Sequence, residues 1–190
     1  MSQPRHDFHF GIAEAGKLAA IKGDHTEALR HYREALKLAQ SSKAPEVFFR
    51  HYTQCVLESL ELTGEYAEIL EFCENADAHY QRMPHDTDLH ARDHGAILER
   101  HGVVAVKSGD TDTGRDALTR AVERAGKGQL PIAETVLGWL KRGMTPDARR
   151  LLDVQKKHKY FTVREDQGDP ARANPLPKDA KNAKQFAPRL

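Results

Sequence analysis

The chain has 190 residues, a formal net charge of +1, 39% hydrophobic and 30% charged residues, and only two cysteines, Cys55 and Cys73. That length supports one domain with a sizeable core, while the near-neutral balance lacks the field that recruits nucleic acid or a membrane surface. No apolar run reaches a bilayer span, two cysteines make no disulfide scaffold, and MSQPRHDFHF lacks the basic-then-apolar order of a secretory signal; the expectation is a cytoplasmic protein.

Residues 1–6 read as a loose lead-in. Phe8, Phe10 and Ile12 open a helix that runs to about Lys22, and a second runs from His25 to about Gln40. Between them, Gly23 can take the positive φ that ends a helix and Asp24 can cap the next, with Glu27 at capping-box spacing. Ile12, Ala15, Gly16, Ala19 and Ala20 face Ala28, Leu29, Tyr32, Ala35, Leu36 and Ala39 at helical spacing, which predicts a close antiparallel hairpin.

Pro45 sits at the first turn of the next helix. A second hairpin is predicted over Glu46–Arg82, turning at Thr63-Gly64-Glu65-Tyr66, with Val56, Leu57 and Leu60 facing Ile69, Leu70, Cys73 and Ala76. After Pro84, with Asp86 as N-cap, a third helix pair runs from Thr87 to Lys107 and on to about Ala125. Pairing Ala117 and Leu118 with Ala28 and Leu29 gives its turn, Ser108–Thr113, about three extra residues. A shorter pair follows, Ile132–Lys141 and then a helix from Thr145-Pro146 to Lys157. Residues 1–160 thus form the helical domain.

From 161 to 190 the periodicity stops and the chain becomes proline-rich and basic. It reads either as disordered or as an extended strap on a partner or on the body. Residues 155–190 hold nine Lys/Arg against four Asp/Glu, leaving the rest net acidic. The expected tail contacts are Leu176, Lys178, Lys181, Lys184, Phe186 and Arg189.

The small residues Gly16, Ala19, Ala28 and Ala35, the Gly23-Asp24 turn and Tyr32 resemble one tetratricopeptide repeat. The resemblance implies an all-α solenoid of about four hairpins whose inner helices form a groove for a protein or peptide partner. The turn glycines Gly23, Gly64 and Gly109 are spaced more widely than the family's unit of about 34 residues. Carried onto this chain, the groove positions are Phe10, Ala13, Lys17, His51, Gln54, Glu58, Glu99 and Val103. Ala13, Lys17, Gln54 and Glu58 do not make the family's carboxylate clamp, so chaperone-tail recognition is not expected.

Other constellations have plainer readings. His90, His94 and His101 share a helix face, and two at i, i+4 could hold zinc; solvated or groove-lining histidine is the plainer reading, and no metal or cofactor is expected. Cys55 and Cys73, each nine residues from Gly64, read as facing core thiols. The basic run Lys156–Lys159 with Tyr160 and Phe161 reads as a helix C-terminus, not a nucleic-acid site. Asp and Glu read as solvated, and no nucleophile or phosphate-loop motif occurs, so no enzyme activity is expected. The leading reading is a protein-binding adaptor or scaffold, with possible self-association. A small bacterial secretion chaperone is the alternative, and a histidine-mediated metal-binding protein the further one.

Overall fold

A computed structural model describes residues 7–83 and 87–177. Among them are eight α-helices, one 3₁₀ turn and no strand. The helices are α1 (Asp7–Ile21), α2 (His25–Ser41), α3 (Glu46–Thr63), α4 (Tyr66–Arg82), α5 (Asp88–Ser108), α6 (Thr111–Ala125), α7 (Pro131–Lys141) and α8 (Ala148–Lys157). The chain divides into two compact units. One gathers α1–α3 with the segment that begins at Phe161, and the other holds α4–α8. The boundary at Gly64 falls inside what the sequence reads as one hairpin.

In the first unit, α1 and α2 meet at a seam dictated by size. A Cβ on Gly16 would stand 2.7 Å from the Tyr32 ring, and Ala28, Tyr32 and Ala35 are wholly buried. The turn works as its residues demand: Gly23 has φ +81°, and Asp24 accepts a hydrogen bond from the Glu27 N–H at 3.0 Å. Helix α3 packs on α2 and touches α1. His9 Nδ1 lies 2.7 Å from the Tyr52 hydroxyl, and its ring meets Phe48 edge-on.

The second unit repeats that seam in α5 and α6. Gly109 has φ +96°, and the Asp110 carboxylate accepts from the Thr113 N–H at 3.0 Å. The turn is therefore as tight as Gly23-Asp24, and the three extra residues expected there do not exist. The register error lay in matching Ala117 to Ala28. The true counterpart is Gly114, where a Cβ would stand 2.5 Å from Val106 Cγ2, and Gly102 stands for Gly16, its Cβ site 2.4 Å from Leu118. Glycine on both sides of the seam disguised the repeat.

Leu98, Val103, Val106, Leu118, Ile132, Val136, Leu140 and Leu151 form this unit's core with contributions from α5 through α8. Each such aliphatic side chain contributes about 1.5–3 kcal/mol by burial. Two caps differ from expectation. Thr87 caps α5, its hydroxyl accepting from the His90 N–H, while Asp86 lies outside the described residues. Asp147 caps α8 through the Arg150 N–H at 2.8 Å, so that helix begins at Ala148 and not at Pro146; the carboxylate prevails over Thr145 as the cap.

Candidate functional site

The face of α1–α3 predicted as a groove is crossed by the chain's own segment 161–177. Phe161, at its start, is buried. The segment makes a 3₁₀ turn at Glu165–Gln167 and a turn at Asp169–Arg172 closed by a main-chain hydrogen bond. Its remaining stretches carry no regular secondary structure.

What holds this strap is a set of side chains that bind its main chain. On α3, Glu58 accepts from the Thr162 N–H at 2.7 Å and the Val163 N–H at 3.0 Å, while Gln54 donates to the same carboxylate at 2.7 Å. On α1, Glu14 accepts from the Asp169 N–H at 2.7 Å, and Lys17 pairs with its other oxygen at 3.0 Å. On α2, His31 Nε2 accepts from the Leu176 N–H at 3.0 Å. Its Nδ1 lies 2.9 Å from the Glu27 carbonyl, so the tautomer that serves both contacts carries its proton on Nδ1. The Asn174 N–H donates to the Gly11 carbonyl at 2.8 Å, and Arg30 donates to the carbonyls of Leu176 and Pro177.

Glu14, His31 and Glu58 are each no more than 3% exposed. A buried acceptor must find a donor, and each of these three has one in a backbone N–H group, alongside Gln54 at Glu58 and Lys17 at Glu14. Gly11 has no room for a side chain, because a Cβ would stand 3.0 Å from the Arg172 carbonyl oxygen. Gly168 is similarly close to α1, its Cβ site 2.7 Å from Leu18 Cδ2 and 2.9 Å from Ile21 Cδ1. Arg172 lies over the Phe10 ring at 4.4 Å, a cation–π contact.

The sequence-predicted residues divide by unit. Phe10, Lys17, Gln54 and Glu58 touch the strap or orient a group that does. Ala13 is buried on α1. His51 is half-buried; burial, helped by Lys17, holds its pKa below the ordinary histidine value. The two carried to the third helix pair lie in the second unit's interior. Val103 belongs to the core, and the Glu99 carboxylate accepts from the Ala133 N–H at 2.8 Å; burial pushes its pKa up against that bond and Arg100. Neither belongs to an open face. Leu176 contacts α2 through its main chain, whereas Lys178, Lys181, Lys184, Phe186 and Arg189 lie outside the described residues.

Sequence reasoning missed Glu14, because carboxylates on helices read as solvated, and it gave His31 and Arg30 no role because cations and histidines at helical spacing read the same way. Glu14, Glu58, Glu61, Asp77 and Glu99 are all buried. The one available signal was position, since Glu14 falls between Ala13 and Ala15 on an otherwise small, apolar stretch of α1.

A second polar cluster lies in the α4–α8 unit. Asp77 accepts from Arg120 at 2.7 and 2.8 Å, from Gln81 at 3.0 Å and from His94 Nε2 at 2.7 Å. Arg124 Nε donates to His94 Nδ1 at 3.1 Å, and Tyr80 stacks on the imidazole. Burial raises the Asp77 pKa, but these hydrogen bonds and the Arg120 charge outweigh it and hold the carboxyl below its ordinary range. An open cleft of about 290 Å³ is lined by His94, Leu98, Arg120, Glu123 and Arg124. Both nitrogens of His94 are engaged by neighbours, so the arrangement braces α4, α5 and α6 and offers no poised base. Among the described residues, no three His, Cys, Asp or Glu side chains gather where they could hold a metal ion.

Cys55 and Cys73 are buried thiols, one in each unit. Burial first, then Glu58, pushes the Cys55 thiol up to about 12, which leaves it unreactive. No described helix is long and apolar enough to cross a membrane. Set against protein-family models, curated proteins and solved structures, the chain matches none.

Proposed function

We propose that the chain is a non-enzymatic peptide-binding module of the tetratricopeptide kind, an adaptor whose α1–α3 face holds a segment of a partner protein. One observation carries this reading. The face already holds a polypeptide without regular structure along most of its length, and it does so through buried acceptors aimed at backbone N–H groups. A surface evolved only to close a core would cover apolar area; this one is furnished to grip main chain. The α1–α2 seam, Gly16 against Tyr32 with the Gly23-Asp24 turn, supports the repeat assignment.

Selection from a displayed peptide library tests it. Peptides recovered on the full chain are expected to lose about tenfold or more in affinity on a Phe10→Ala, Lys17→Glu chain of unchanged helicity, the loss of one or two anchors in a preformed groove. A library that yields no peptide sensitive to those substitutions contradicts the reading.

A further inference from the structure

Resting on that reading, we infer that the groove's ligand is a peptide of the strap's own kind, and that the strap is its resident competitor. The contacts define the ligand. Three acceptors on three helices require N–H groups with the spacing of Thr162/Val163, Asp169 and Leu176. The Gly11 carbonyl requires another at Asn174, and Arg30 requires carbonyls at 176 and 177. None of these contacts consults a side chain of the strap, so they tolerate many sequences.

Discrimination comes from shape and one charge. A small residue is favoured at 168, where a Cβ would already stand against the terminal methyls of Leu18 and Ile21 and a larger side chain would have to displace both. An arginine is favoured at 172, over Phe10. Proline is allowed at 170, 175 and 177, which face none of the acceptors. A ligand is thus an arginine-containing segment with a small residue about four residues before the arginine and prolines after each, lacking regular secondary structure over most of its length.

The same contacts make the strap an obstacle. It belongs to the same chain as the face it occupies, so its effective concentration is on the order of millimolar, and a free peptide must displace it. A strap that itself has micromolar affinity for the empty groove therefore weakens any competing peptide about a hundredfold or more. Release of the strap, by a partner or by modification of the segment, would open the site.

The test places the lesion in the strap and leaves the groove intact. In the full chain, Val163→Pro and Leu176→Pro remove two donated N–H groups, and Gly168→Leu adds the disfavoured larger side chain. A labelled peptide of residues 161–177 is then titrated by fluorescence anisotropy into the altered and native chains. It is expected to bind the altered chain at least thirtyfold more tightly, and a peptide carrying the same Gly→Leu change is expected to bind neither. Equal binding to both chains overturns the competition. Failure of the strap peptide on a folded altered chain that still binds library-selected peptides overturns the inference and leaves the adaptor reading standing; failure of both kinds of peptide overturns both. Should the altered chain not fold, the native chain decides. Excess unlabelled peptide is expected to speed hydrogen exchange at the Asp169 and Leu176 amides, and unchanged exchange overturns the proposal.

Discussion

The hairpins α1–α2 and α5–α6 share one seam at an offset of 86 residues, with Gly16, Gly23-Asp24, Ala28, Tyr32 and Ala35 matching Gly102, Gly109-Asp110, Gly114, Leu118 and Ala121. Their first helices are furnished differently. Where α1 has Glu14 and Lys17, an ion pair that receives the Asp169 N–H, α5 has Arg100 and Val103. Arg100 donates to the Tyr160 hydroxyl at 2.9 Å, and Val103 enters a core filled from α7 and α8. One hairpin geometry thus supports an apolar interior in one unit and a main-chain-binding face in the other. The seam is common to both, and the difference lies in the polar side chains set beside it on α1, α2 and α3: Glu14, His31 and Glu58.

The largest effects should fall on the seam and be the same in both units. Ala28→Asp places a carboxylate at a wholly buried contact and should cost about 4 kcal/mol or more. Gly114→Asp should cost a similar amount, because its Cβ alone would press on Val106. Chemical denaturation followed by circular dichroism measures both. A mild effect at Gly114 beside a severe one at Ala28 would break the equivalence.

Next come the carboxylates that separate the two units. Glu58→Ala leaves two strap N–H groups without their charged acceptor and should destabilise by about 2–3 kcal/mol while loosening residues 161–163. Glu99→Gln should cost less than about 1 kcal/mol, since burial already favours the uncharged form and the amide oxygen can still accept from Ala133. Reversed magnitudes would show that main-chain binding by Glu58 is incidental. Asp77→Asn should fall between them, at about 2 kcal/mol, through its weakened hold on Arg120 and His94.

The smallest effect is common to both units. Burial, the first cause in each case, depresses the pKa of His25 and His51 in the first unit and of His101 in the second. The unfolded chain therefore takes up protons that the native state resists. This contribution is fully present above the ordinary histidine pKa of about 6.5 and is lost as pH falls below it. Melting temperature should drop modestly between pH 7.5 and 5.5, and less in a His51→Gln, His101→Gln chain.

The helices were legible because glycine and aspartate punctuate them and apolar spacing fills them. Gly23-Asp24 and Gly64 appear as turns where expected, with the first helices bounded to within a residue or so. The second seam was obscured because Gly102 and Gly114 make their contact by lacking a side chain, so a search for alanine and aromatic positions slipped to Ala117. Phe10, Lys17, Gln54 and Glu58, singled out by analogy of position, lie where the strap crosses α1 and α3. Its occupant was legible only as one of two fates for the tail, since proline, glycine and scattered charge specify no periodic structure. What holds residues 161–177 is a set of main-chain hydrogen bonds to Glu14, His31 and Glu58, and that set appears only once three helices and the strap come together.

The central claim is that these acceptors hold the strap by its main chain, and amide hydrogen exchange on the native chain tests it most directly. The account predicts strong protection at Thr162, Val163, Asp169, Asn174 and Leu176, about a hundredfold or more beyond Glu165 and Asp166, whose N–H groups open the 3₁₀ turn. Random-coil exchange at all seven, with the helices of α1–α3 still protected, would contradict it.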